Sequence, residues 1–203
     1  MCVVAAMYPL AAQTADPAAG RMPVTAPAPV TQPGYTPLTE QERLHNYVNS
    51  LIGPMNFVTG ALSAGWGQMR DRPHEWPQGA EGFGLRMGSG YAQRVTRETL
   101  MYGSSALLHQ DNRYIHSTAT TTGGRLRYAV ESTFLAHRED GTRTFSSSRI
   151  GSMLGASLIS RTWQPPSTGS INSTFVNFGT ALALTAGFNV VREFMPKKFK
   201  FFR

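Results

Sequence analysis

The chain has 203 residues, which suffices for one domain with a real core but is short for two domains and a leader. Only 15% of the residues are charged and 41% are hydrophobic, a balance that disfavours a highly soluble protein and favours a membrane-associated one. The net charge of +7 indicates a phosphate-rich partner, either nucleic acid or an anionic lipid surface. The single cysteine, Cys2, excludes an internal disulfide and a cysteine-based zinc site.

The N-terminal part of the chain predicts a leader and a spacer. Residues 1–13, MCVVAAMYPLAAQ, form a short apolar run ending in small residues, which is typical of an export signal and its cleavage site. A basic segment before the run is missing, so an ordinary apolar N-terminus is the alternative. Residues 14–38 contain repeated prolines, which prevent helical hydrogen bonding and indicate a disordered spacer. The helical domain is then expected over 39–203.

Two helices separated by a break are predicted at the start of this domain. Thr39 and Glu42 have the spacing of a capping box, so a helix begins there and is interrupted at the Gly-Pro pair 53–54. No charged residue lies between Arg43 and Arg70, which brings this interval close to the pattern of a bilayer span. Its Asn, Gln and His side chains are costly in hydrocarbon, so a buried bundle helix is the favoured interpretation.

The stretch from Gly79 to Gln110 predicts the central helix of the domain. Small residues recur in it every four positions, which makes a smooth stripe where another helix can approach closely. The same spacing recurs in two later segments. Because glycine inside a helix costs about 0.5 to 1 kcal/mol relative to alanine, we expect close helix contact at each stripe. The stripe residues are Gly84, Gly88 and Ala92, then Gly151 and Gly155, and finally Gly179, Ala183 and Gly187.

The second half of the chain begins with an ambiguous segment. Residues 125–137 fit both a strand and a helix by their apolar spacing, and helix is the favoured prediction. A turn follows at 139–141, and the serines at 146–148 offer caps for the next helix.

The last uncharged interval runs from Thr162 to Val191 and is the best candidate for membrane contact. The tail after it alternates basic and aromatic residues, which suits a lipid headgroup region better than a groove of DNA. The predicted membrane-surface residues are Lys197, Lys198, Phe199, Lys200, Phe201, Phe202 and Arg203.

Catalytic motifs are not evident in the sequence. The Gly-rich run GFGLRMGSG lacks the preceding strand and the spacing of a phosphate loop, and no nucleophile elbow is present. If the chain were an enzyme, a histidine would act as base and Asp111 would orient it. The candidates for that role are His74, Glu75, His109, Asp111 and His116. The interval between His109 and His116 does not suit one helical turn, so no metal or cofactor site is predicted.

Two stretches, EWPQGAEGFGLR at 75–86 and FNVVREFMP at 188–196, resemble an uncharacterised family of exported bacterial envelope proteins. The resemblance extends over residues 39–196 and leaves the leader and the spacer outside it. It implies a location in the cell envelope, and it implies no activity, ligand or catalytic residue.

Together these patterns predict an all-α bundle of about five helices that associates with a membrane. We expect a non-enzymatic envelope protein whose partner is a membrane or anionic lipid surface, another protein or a second copy, and not a nucleic acid. The alternative function is a periplasmic enzyme of the hydrolase type. A membrane β-barrel is a third possibility, which the four-residue repeat of the last segment opposes because barrel strands repeat every two residues.

Overall fold

The structure, a computed structural model, describes residues 35–195. The predicted leader, most of the spacer and the membrane-surface residues of the tail lie outside this range. Most of the described residues are helical, which confirms the predicted all-α bundle. The helices are α1 (Glu40–Ile52), α2 (Pro54–Met69), α3 (Ala80–Leu107), α4 (Thr122–Glu131), α5 (Ser147–Ser160) and α6 (Ile171–Phe194). Three short strands, β1 (Gln110–Asp111), β2 (Leu135–Arg138) and β3 (Arg143–Phe145), form one antiparallel sheet in that order.

The start of α1 and the break before α2 are as predicted. Oγ1 of Thr39 accepts a hydrogen bond from the Glu42 N–H at 3.2 Å, and Oε2 of Glu42 accepts one from the Thr39 N–H at 3.0 Å. Gly53 ends α1, and Pro54 occupies the first turn of α2, where a missing N–H removes no helical hydrogen bond. Local signals therefore determine this helix pair.

The central helix α3 packs against α1, α2 and α5, in agreement with the sequence pattern. The buried side chain of Arg86 fastens the preceding connection to it. Its guanidinium donates to the carbonyl oxygens of Arg72, Pro73 and Pro77 and to Oε1 of Gln68, over 2.8 to 3.0 Å. One arginine thus donates to several carbonyl groups of the proline-rich connection.

Residues 125–137 do not form one helix, and that prediction is wrong beyond Glu131. α4 ends there, and the chain continues into β2, which pairs with both β1 and β3. Ala136 and His137 are buried in this sheet. Pairing with two strands outweighs the local helical pattern, since the alternation of side chains in this segment fits a strand equally well.

The small-residue stripes do not make the predicted close helix contacts within the chain. Ala92 and Ala183 are exposed. Five stripe glycines are also exposed, and a Cβ atom added to them would meet nothing within 4 Å beyond its own helix backbone: Gly84, Gly88, Gly151, Gly179 and Gly187. Gly155 is the exception, since its added Cβ would lie 3.1 Å from Cδ1 of Leu100. The four-residue spacing places these residues on one face, but that face points away from the neighbouring helices.

Candidate functional site

The interior of the domain is unusually polar. Among residues 35–195, the buried apolar side chains are small apart from one methionine: Ala64, Ala129, Ala136, Met153 and Ala156. The buried residues also include several charged ones: Arg86, Glu98, Asp111, Arg149 and Glu193. Charged groups are rarely buried in soluble domains unless hydrogen bonds and ion pairs satisfy them. The helices are therefore held together largely by polar contacts.

The outer surface carries the large apolar side chains instead. About half of the exposed ones lie on three helices, α1, α2 and α6, and the rest are spread over the other elements. Those on α1 are Leu44, Val48 and Ile52; those on α2 are Phe57, Val58, Leu62, Trp66 and Met69; those on α6 are Ile171, Phe175, Val176, Leu184, Phe188, Val191 and Phe194. Single exposed apolar residues are normal, but continuous rows along helices mark a surface that another molecule or a membrane covers.

α6 is the one helix within residues 35–195 that is long and apolar enough to cross a bilayer. It has 24 residues, which corresponds to about 36 Å, slightly more than the hydrocarbon thickness of a membrane. Only 11% of its most apolar window is buried, whereas the core helix of a soluble protein would be mostly buried. Its position late in the chain also differs from that of a signal sequence.

The carboxyl end of α6 is fastened by Glu193. The Glu193 carboxylate accepts hydrogen bonds from the Tyr114 hydroxyl at 2.7 Å, the Ser117 N–H at 3.1 Å and Nε of Arg125 at 2.7 Å. The Arg125 guanidinium also lies over the Phe194 ring, 4.8 Å from its centre. These contacts connect α6 to α4 and to the loop before it.

The structure distributes the five predicted catalytic residues among different partners. Glu75 accepts hydrogen bonds from the N–H and the hydroxyl of Ser167, which hold the pKa of Glu75 below its usual value, and neighbouring His74 lies 3.7 Å from its carboxylate. His109 pairs with Glu139 at 2.8 Å on the surface.

The other two candidates are also engaged elsewhere. Asp111 is buried and pairs with Arg113 at 2.8 Å and with the Tyr35 hydroxyl at 3.3 Å. Burial and the Asp111 charge raise the pKa of Tyr35 to about 12. His116 lies 3.5 Å from Glu193. Apart from the His74–Glu75 pair, the five residues have different partners, and no group of three potential metal ligands occurs in the described part of the chain.

A titrating group does lie in the sheet. The His137 ring is buried and stacks on the Tyr35 ring, with 5.2 Å between ring centres. Burial, and next the charge of Arg143, lower the pKa of His137. Because the unfolded chain then takes up this proton at a higher pH than the folded one, stability is complete above the unfolded value of about 6.5 and declines as the pH falls toward the folded value.

We therefore expect the free energy of unfolding to decrease between pH 7.5 and pH 5, and to decrease less in His137→Phe, which keeps a ring against Tyr35. Urea unfolding of both proteins in mild detergent at the two pH values measures this difference. An equal decrease in the two proteins would contradict the assignment of the pH dependence to His137.

A cavity of about 490 Å³ lies between α2, α3, α5 and α6. Its charged lining residues are Arg72, Arg86, Arg94 and Arg97, and no Asp or Glu lines it among the residues that the structure describes. Arg86, Arg94 and Arg97 all lie on α3, and none of them was predicted as a site residue from the sequence. Their spacing places them on one helical face, which is the signal that could have identified them.

Comparisons of the chain with protein-family models, with curated proteins and with solved structures give no match. The resemblance of 75–86 and 188–196 to exported envelope proteins therefore stays a prediction. In the structure the first stretch contains Arg86 and the second contains Glu193, which are the buried charged residues that fasten α3 and α6 to their neighbours.

Proposed function

We propose that the chain is a non-enzymatic helical protein of the cell envelope, which associates with a membrane through the outward apolar faces of α2 and α6. The observation that carries this proposal is the exposure of α6, a helix of 24 residues whose most apolar window is only 11% buried. When this face of α6 enters the hydrocarbon of a bilayer, the apolar side chains that the fold leaves exposed are removed from water.

The polar interior supports the same proposal. Lipid tails are as apolar as leucine, so helices surrounded by lipid are held together by packing and hydrogen bonds and not by burial of apolar surface. Such contacts join α6 and α5 to the residues after α4. Nδ2 of Asn189 donates to Oγ1 of Thr133 at 3.2 Å, and the buried Arg149 guanidinium donates to the carbonyl oxygens of Ser132 and Thr133.

The proposed location is the envelope of a cell that exports the chain. It rests on the apolar run over 1–13, on the spacer and on the resemblance of 75–86 and 188–196. The basic and aromatic tail at 197–203 follows the carboxyl end of α6, where it suits the anionic headgroups of the same membrane.

Vesicle flotation of the full chain tests the membrane association. Val176 and Leu184 on α6 are 59% and 57% exposed, and Phe145 on β3, at 56%, offers a control of equal exposure. We expect the wild type to float with vesicles and the double change Val176→Asp and Leu184→Asp to remain in solution. Each charge placed in hydrocarbon costs about 2.5 to 3.5 kcal/mol.

Phe145→Asp should float like the wild type, because β3 lies outside the α6 face. A wild type that stays in the aqueous fraction as a monomer or as a soluble oligomer would contradict the proposal. In the oligomeric case the apolar faces would be covered by further copies of the chain, and size-exclusion chromatography without detergent would show this.

A further inference from the structure

We propose that the cavity between α2, α3, α5 and α6 binds the phosphate headgroup of an anionic membrane lipid, with Arg94 and Arg97 as its charge partners. The inference rests on the membrane association proposed above, and it adds a specific ligand and a site for it. The lipid chains would leave the cavity between α2 and α6.

The cavity lining carries an excess of positive charge. It includes four arginines and, among residues 35–195, no carboxylate. Arg86 is occupied by the carbonyl groups of the α2–α3 connection and lies 3.8 Å from the Asp71 carboxylate, and Arg97 pairs with the neighbouring Glu98 at 2.7 Å. The hydrogen-bond partners of Arg94 within the described range are neutral, namely the side chains of Asn56 and Thr59. The lining is therefore cationic and suits an anion.

Arg94 is partly buried beside a second arginine. Burial, and next the charge of Arg97, lower the pKa of Arg94, while the charge of Glu98 acts against this shift. An anion between the Arg94 and Arg97 guanidinium groups would offset part of the cost of holding both positive charges there. Guanidinium groups bind phosphate oxygens through charge-assisted hydrogen bonds of matching geometry, so phosphate is the expected anion.

The cavity opens between α2 and α6. α2 packs on α3, α3 on α5 and α5 on α6, whereas α2 and α6 make little contact with each other. The ring of four helices is thus open between α2 and α6. Neither α2 nor α6 up to Val191 carries a charged side chain. An apolar chain can pass between them while its headgroup stays on the arginines.

The volume and the charge of the cavity predict which lipid headgroup it binds. A volume of about 490 Å³ lies within the range of small-molecule sites and accommodates a phosphoglycerol group. A cationic headgroup such as phosphocholine would bring its ammonium group into a lining with four arginines and no carboxylate of its own, since Glu98 is already paired with Arg97. We therefore expect phosphatidylglycerol to bind and phosphatidylcholine to bind much more weakly.

Native mass spectrometry of the full chain in detergent, titrated with each lipid, tests the proposal. We expect the wild type to retain phosphatidylglycerol and Arg94→Gln to bind it about tenfold more weakly, as expected for losing a hydrogen bond to a charged group. Arg138→Gln is the matched control, since it removes the same charge from an exposed strand residue outside the cavity lining. It should leave the affinity unchanged.

A second pair of variants keeps the test valid if Arg94→Gln fails to fold. Gly90 lines the cavity, and Gly88 on the same helix does not. A Cβ atom at either position would meet nothing within 4 Å, so neither leucine variant clashes at its first side-chain carbon. Gly90→Leu should fill part of the cavity and prevent lipid retention, whereas Gly88→Leu should retain lipid as the wild type does.

Three results would overturn the cavity assignment: equal retention of phosphatidylcholine, unchanged retention in both Arg94→Gln and Gly90→Leu, or full displacement of the lipid by inorganic phosphate. The last result would identify a phosphate site without a lipid. A wild type that floats with vesicles but retains no phosphatidylglycerol contradicts the cavity assignment alone. A wild type that does not float contradicts both proposals.

Discussion

Gly82→Ala should lower the free energy of unfolding by about 3 kcal/mol, and Gly84→Ala, two residues later in the same helix, should raise it by about 0.5 to 1 kcal/mol. A Cβ atom added to Gly82 would lie 1.5 Å from the Pro77 carbonyl oxygen and 2.6 Å from Nη1 of Arg86. The Pro77 carbonyl group belongs to the backbone, which cannot move aside as the end of a flexible side chain can. The chain before α3 would have to move, and the hydrogen bond between Arg86 and Pro77 at 2.9 Å would be lost with it.

Gly84 is the matched control for this change. It is exposed, and an added Cβ would meet nothing within 4 Å, so alanine there only reduces the conformational freedom of the unfolded chain. Urea unfolding of both variants in mild detergent measures the difference. Equal stability of Gly82→Ala and the wild type would contradict the close approach of the α2–α3 connection to α3.

The contrast between these glycines shows what spacing in a sequence can indicate. A repeat of four residues correctly predicts that Gly84 and Gly88 share a helical face. It does not indicate whether that face meets another helix, because this depends on which elements pack together across the chain. Gly82 belongs to no stripe, yet the connection that ends at Gly79 passes directly over it.

The helices were predictable where their signals are local. The capping box at Thr39 and the Gly53-Pro54 break each act within a few residues, and the structure agrees with both. β2 was not predictable in this way. Its conformation depends on hydrogen bonding to β1 and β3. No local pattern in 125–137 indicates that these two strands pair with it.

The candidate site was predictable only in part. For α6, the uncharged interval predicted membrane contact from length and composition alone, and that contact stays a prediction. For α2, a buried helix was favoured, whereas its large apolar side chains are exposed. The polar partners inside the domain are far apart in the chain: Arg94 meets Asn56 and Thr59, and Glu193 meets Tyr114 and Arg125. A single sequence shows such residues as charged or polar positions but does not show which of them meet.

Glu193→Ala should lower the free energy of unfolding by about 3 kcal/mol, which is the lower end of the loss for a broken buried ion pair. The Glu193 side chain is 1% exposed and accepts three hydrogen bonds, from Tyr114, Ser117 and Arg125. Removing the carboxylate leaves these donors without an acceptor. The Arg125 side chain is 35% exposed, so water compensates part of its loss and the upper end of the range is not expected.

Glu131→Ala is the control for this prediction, because it also removes a carboxylate that pairs with an arginine. Glu131 lies 2.6 Å from Arg127, four residues earlier on the surface of α4, and 3.9 Å from Arg143. Such surface pairs together contribute about 1 kcal/mol or less. Glu193→Gln should fall between the two, since an amide oxygen can still accept the Tyr114 hydroxyl while the charge is gone. Urea unfolding of the three variants gives the order. If Glu193→Ala were no less stable than Glu131→Ala, the fastening of α6 would have to come from its other contacts with α4 and α5.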